Sequence, residues 1–106
     1  MIKKIQLEEG SNFELMIGRS DQANIILPVT VVSNYHAQLI KDANNNLYLI
    51  DQNSTNGNYI NKQKLNPGVP YEITIRDQIT LSKTDGISIV FNPDAYKVGS
   101  INTPSK

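Results

Sequence analysis

Two segments decide how this chain reads: Val32-Ser33-Asn34-Tyr35-His36-Ala37, and Asp51-Gln52-Asn53-Ser54-Thr55-Asn56-Gly57-Asn58-Tyr59-Ile60-Asn61. Small hydroxyl and amide side chains crowd both. Between them apolar residues alternate, with Ala37 and Leu39 in the first run and Leu47 and Leu49 in the second. A period of two marks half-buried strands, so the pattern predicts a β-hairpin that sets two polar loops side by side. Just upstream, Ile17-Gly18-Arg19-Ser20 places one cation in a turn. These three loops form a candidate anion-binding surface.

Working outward, residues 2–7 predict an opening strand and residues 8–12 a turn. Residues 13–17 predict a second strand, with Phe13, Leu15 and Ile17 on one face. Residues 24–27 form a brief β-prone run closed by Pro28. The β-branched residues 29–32 lie between that proline and polar Ser33-Asn34, which predicts an extended loop edge rather than a central strand. The turn-rich residues 42–46 separate the two hairpin strands. Short strands follow near 58–61 and 63–65, then a turn at Asn66-Pro67-Gly68 and strands over 71–75, 78–82 and 87–91. Residues 83–86 connect the last two as a hairpin. No ten-residue stretch carries helical periodicity. Many short strands with Gly, Pro and Asn turns predict an all-β, two-sheet antiparallel sandwich. Residues 1–92 read as one domain, and residues 93–106 as a tail or linker.

The 106 residues suit a single domain with a core that needs no staple. There is no cysteine and only one histidine, so no zinc site can be assembled and no cofactor is expected. Ten basic residues balance ten acidic ones, which argues against a nucleic-acid binder or a polybasic membrane surface. No apolar run approaches a membrane span, and the charged N-terminus is not followed by a signal-peptide core. A cytoplasmic protein, or the cytosol-facing part of a larger one, is expected.

A phosphorylated side chain carries about −1.5 to −2 charge and three strong acceptor oxygens. Holding it takes a guanidinium for charge and short neutral donors for the remaining oxygens. Arg19, Ser33, Asn34, Thr55 and Asn56 are the right types, in loops expected at one end of the fold. Each piece alone has a plainer reading. Gly18-Arg19 suits a turn with a solvated arginine, Ser33-Asn34 a local cap, and Asn56-Gly57 a type I′ hairpin dipeptide. His36 suits a packed loop support. Their co-occurrence, in order and at these separations, favours the functional reading.

The combination of Gly18-Arg19, Ser33-Asn34-Tyr35-His36-Ala37 and Asp51 through Ser54-Thr55-Asn56-Gly57 to Asn61 resembles the forkhead-associated (FHA) domain. The resemblance runs from about Phe13 to Phe91, including Ile73 and Asp77-Gln78-Ile79-Thr80-Leu81. It implies an FHA/SMAD-like sandwich of about eleven strands that binds phosphothreonine peptides through loops at one end, as a reader in Ser/Thr kinase signalling. It also implies that Arg19 pairs with the phosphate, with Ser33, Asn34 and Thr55 completing the phosphate shell. Asn56 would bond the peptide backbone, and Gly18, His36 and Gly57 would shape the loops. Val31 and Lys83 match positions that help read the third residue after the phosphothreonine; an exposed Val31 would favour an apolar residue there and Lys83 an acidic one.

Several positions depart from the family's common pattern. Asn34 stands where a second cation is frequent, and Gln52, Asn58, Arg76 and Ser82 fall on turns and scaffold. The runner-up function is a phospho-independent interaction or assembly domain with the same fold, left open by the missing cation. Catalysis is disfavoured: Ser33 and His36 have no third group to orient the histidine, and an extended start to the strand would put them on opposite faces.

Overall fold

The computed structural model describes residues 12–83 and 87–89, and among these every regular element is a strand. The strands are β1 (Phe13–Gly18), β2 (Ile25–Ile26), β3 (Ala37–Lys41), β4 (Leu47–Asp51), β5 (Tyr59–Ile60), β6 (Gln63–Lys64), β7 (Tyr71–Ile73), β8 (Ile79–Thr80) and β9 (Ser88–Ile89). They form a five-stranded sheet ordered β2-β1-β3-β4-β7 and a four-stranded sheet ordered β6-β5-β8-β9. The all-β two-sheet prediction holds, with nine strands in place of about eleven among the described residues. The predicted opening strand at 2–7 and the tail from 93 lie outside them. One ladder departs from the antiparallel prediction: β1 and β2 run parallel, Ile17 opposite Ile25. The chain turns through residues 19–24 and comes back along the edge of the strand it has just left.

The central hairpin is β3 and β4, paired from Ala37–Asp51 to Lys41–Leu47. Its period-two pattern buries Ala37 and Leu39 on β3, and Leu47 and Leu49 on β4. Ile17, Leu27, Val32, Leu65, Ile73, Ile79 and Leu81 complete the core, with Phe13 and Leu15 packed at its margin. Each fully buried Leu or Ile contributes about 1.5–3 kcal/mol relative to exposure. At the Asp42 turn, one carboxylate oxygen accepts the Asn44 and Asn46 amide N–H groups and the other the Asn46 side chain. These bonds, that of the Asn46 backbone foremost, hold the carboxyl below its usual range. The alternation also carries polar groups inward at both ends of the hairpin: Lys41 at one, Asp51 at the other.

Residues 29–32 are not extended, as the sequence pattern predicts, but turn. Val32 N–H donates to the Val29 carbonyl at 3.0 Å and the Val32 side chain is fully buried. Among the described residues no strand lies alongside, so an extended segment would leave its amide groups unmet by them. The turn satisfies one of them and delivers an apolar side chain to the core. The two-residue hairpin turn is formed by Asn61-Lys62, at φ 51° and 72°, between Ile60 and Gln63. Two successive positive φ values are the type I′ signature. Asn61 pins the turn by donating to Asp77 and accepting from Gln78 N–H, and the first of these bonds is the main reason the Asp77 carboxyl lies below its usual range.

Candidate functional site

Three connections meet at one end of the β3–β4 hairpin: residues 19–24 between β1 and β2, 27–36 between β2 and β3, and 52–58 between β4 and β5. The first two are stitched along their backbones. Arg19 N–H donates to the Ser33 carbonyl at 2.9 Å, Ser20 N–H to the Asn34 carbonyl at 3.2 Å, and His36 N–H to the Ile17 carbonyl at 2.8 Å. This approach is why residue 18 is glycine. A Cβ there would fall 1.9 Å from the Asn34 carbonyl oxygen, far inside contact distance.

The third connection is tied to the second through side chains. Thr55 N–H donates to Ser33 Oγ at 3.0 Å, and Asn56 Nδ2 donates to the Val31 carbonyl at 2.8 Å. Arg19, Ser33 and Thr55 are therefore consecutive links in one hydrogen-bonded chain across three loops. Ser33 Oγ acts as an acceptor toward Thr55 N–H, so that bond does not use its own O–H. Arg19, Asn34, Thr55 and Asn56 are exposed, so this face presents one guanidinium and several neutral donors to solvent. One amide hydrogen of Asn56 is engaged by the Val31 carbonyl, and the residue is exposed.

Beneath this face lies a buried polar latch. His36 is fully buried. Its Nδ1 accepts from Ser33 N–H at 3.0 Å, so the ring proton sits on Nε2 and donates to the Gly57 carbonyl at 2.9 Å. Burial pushes the imidazole below its ordinary pKa of 6.5; the Gly57 carbonyl, the Asp51 charge and the Leu81 backbone oppose that shift only in part. His36 is thus neutral, one tautomer, and clamps the second loop to the third. Asp51 accepts from Ser54 Oγ and from Asn58 Nδ2. Ser54 Oγ in turn accepts Gly57 N–H at 3.1 Å, and Asn58 Nδ2 also reaches the His36 carbonyl at 3.0 Å. Both neighbours of the Asn58 amide are acceptors, which fixes its orientation. Its Oδ1 is the one buried side-chain polar atom without a partner among the described residues. Gly57 sits at φ 84°, a region that side chains disfavour.

Ser33 and His36 do meet, contrary to the strand-based expectation, because the segment before Ala37 turns rather than extends. The contact uses the Ser33 backbone N–H, not its hydroxyl. With both ring nitrogens engaged by backbone groups, His36 offers that hydroxyl no base. Val31 is half-buried against the core and contributes its carbonyl to Asn56, while Lys83 is exposed. Gln52, Asn58, Arg76 and Ser82 lie in scaffold and turns: Gln52 N–H donates to the His36 carbonyl at 3.0 Å, Arg76 N–H to Thr74 Oγ1 at 3.2 Å, and Ser82 is buried. The sequence reading missed the latch partners Asp51, Ser54 and Asn58. Their one local signal is Asp followed three residues later by Ser, a side-chain turn pattern.

The described residues thus form two β-sheets with a polar loop platform at one end of the central hairpin. A family model for the FHA domain matches residues 15–82, and the chain belongs to that family. The N-terminal FHA domain of S. cerevisiae Rad53p, solved with a phosphothreonine peptide, is similar at 26% identity and a TM-score of 0.66, over 86% of this chain and 78% of that one. The FhaA FHA domain, solved with the intracellular domain of Rv3910, is 33% identical with a TM-score of 0.61, over 74% of this chain and 79% of that one. The probable serine/threonine-protein kinase fhkA of Dictyostelium discoideum shares 35% identity over 96 residues. The match covers 83% of this chain but 16% of that kinase. FHA domains are binding modules for phosphothreonine peptides. No helix among the described residues is long and apolar enough to cross a membrane.

Proposed function

We propose that this domain reads phosphothreonine in a partner protein marked by a Ser/Thr kinase, in the cytoplasm or on the cytosol-facing side of a larger protein. The observation that carries this reading is the chain of hydrogen bonds from Arg19 through Ser33 to Thr55. It holds the backbone of Arg19 beside Ser33 and that of Thr55 beside the Ser33 hydroxyl, so the loops that carry the cation and the neutral donors are neighbours. In this reading the Arg19 guanidinium neutralises the phosphate, and the Ser33 hydroxyl, Asn34 and Thr55 donate to its oxygens. Asn56 holds the peptide backbone extended with the half of its amide that Val31 does not use.

The test is fluorescence anisotropy with a phosphothreonine peptide and its unphosphorylated twin. Binding of the first alone is expected, and Arg19→Ala weakens it about tenfold to a hundredfold, since a charge-assisted hydrogen bond is worth about 1.5–3 kcal/mol. Equal affinity of wild type and Arg19→Ala removes Arg19 from the role. Retention of a natural partner after phosphatase treatment favours the assembly-domain reading, for which the single-cation surface leaves room.

A further inference from the structure

The family resemblance leaves the phosphate face with one cation, because Asn34 stands where a second is frequent. The fold brings another to the same loop from β6. Lys64 is exposed and pairs with Tyr59 across the β5–β6 hairpin. Its Cε lies 3.2 Å from where a Cβ on Gly57 would sit, and the Tyr59 ring lies at the same distance from that point. Because Gly57 has no side chain, the end of the lysine stem lies beside Gly57, in the loop that also carries Thr55 and Asn56. The ammonium is one bond beyond Cε, so it stands beside that loop. Long lysine stems commonly cover apolar surface while the charged head stays in water. Here the Tyr59 ring and the glycine backbone provide that surface. Glu72 lines the same open groove as Lys64, yet Lys64 has no ion pair among the described residues.

We infer that Lys64 is a specificity-determining residue that selects an acidic side chain flanking the phosphothreonine. This rests on the phosphopeptide reading above. A peptide held extended by Asn56 passes the 55–57 loop, and a carboxylate one or a few residues from the phosphate meets the Lys64 ammonium there. An exposed ion pair is weak and salt-sensitive, so it discriminates among phosphopeptides without binding unphosphorylated acidic chains.

The experiment is a panel of phosphothreonine peptides in which glutamate replaces alanine at each flanking position in turn, titrated against four proteins. Wild type is expected to bind one member about threefold more tightly than the alanine parent at low ionic strength, with the gain shrinking at about 0.5 M salt. Lys64→Gln abolishes that gain and Lys64→Arg keeps it. Lys62→Gln also keeps it, although it removes the same net charge from the adjoining turn. An acidic preference that survives Lys64→Gln, or that falls equally in Lys62→Gln, overturns the inference and leaves the phosphopeptide reading standing, as does the absence of any acidic preference in wild type. Loss of phosphate dependence in wild type itself defeats the reading, and this inference with it. Thermal melts of each variant confirm that the fold is intact, as an exposed position on β6 leads one to expect.

Discussion

The loop end of the molecule has two layers built from the same residue types with opposite fates. In the lower layer, His36, Asp51, Ser54 and Asn58 are drawn into the protein, and all but one of their buried polar atoms have partners. In the upper layer, Arg19, Asn34, Thr55 and Asn56 are exposed and keep much of their hydrogen-bonding capacity. Buried polar groups that are satisfied fix one arrangement, whereas those left unpaired cost about 1–3 kcal/mol each. The lower layer therefore sets the geometry, and the upper layer keeps its donors facing solvent. Substitutions below are expected to unfold the platform, and substitutions above to empty it.

The largest effect is expected from Gly18→Ala. A Cβ 1.9 Å from a backbone oxygen cannot be relieved by a side-chain swing, so the 18–20 and 33–34 segments must part. A loss of roughly 3 kcal/mol or more in chemical denaturation, together with loss of peptide binding, is the expected outcome. Unchanged stability would show that the stitching between these loops is dispensable.

Next comes His36→Ala, which strands the Ser33 N–H and the Gly57 carbonyl. About 2–5 kcal/mol of stability is expected to go, read as a fall in Tm of about 10 °C or more. Arg19→Ala sharpens the contrast from the other side. It should lower affinity as described above while leaving Tm within a degree or so, since the side chain is exposed and the loop contact runs through its backbone N–H. A variant that lost both equally would erase the distinction between the layers.

Smaller again is the pH effect. The folded imidazole lies below its ordinary 6.5, so the unfolded chain takes up a proton that the folded chain refuses. Stability is then complete above about pH 6.5 and declines as pH falls through the lowered value, by at most about 1.4 kcal/mol per pH unit. Asp42 and Asp77, also lowered but from 3.8, contribute only in a more acidic window, where stability is lost as they protonate. Since His36 is the sole histidine, the slope just below the ordinary imidazole value of 6.5 should vanish in His36→Ala. Its persistence would mean that the latch histidine is not the group responsible. The Lys64 series is the smallest of these effects, and it asks whether the upper layer extends on to β6.

How far the sequence was legible differs between these layers for physical reasons. The β3–β4 hairpin was readable because alternation at Ala37, Leu39, Leu47 and Leu49 is a local signal that burial then enforces. The three loops were readable because glycine, hydroxyl and amide residues have few uses in strands. The turn at 29–32 was not. Four β-branched residues favour extension locally, and only the place of Val32 in the core overrides that preference. The parallel β1–β2 ladder was equally hidden, because a two-residue strand carries no directional signal. The approach of Lys64 to Gly57 was hidden as well, because it depends on the β5–β6 register.

By itself the sequence determined the class of fold, the family and the three polar loops that meet at one end, because residue type and short-range spacing are written along the chain. Only the tertiary structure decided which polar groups are sealed beneath the platform and which face outward. It alone fixed the tautomer of His36, the need for glycine at 18 and the approach of Lys64 to the Asn56–Gly57 loop. Each of these depends on atoms far apart in the chain coming within hydrogen-bond or van der Waals distance, and no local pattern of residues encodes a distance of that kind.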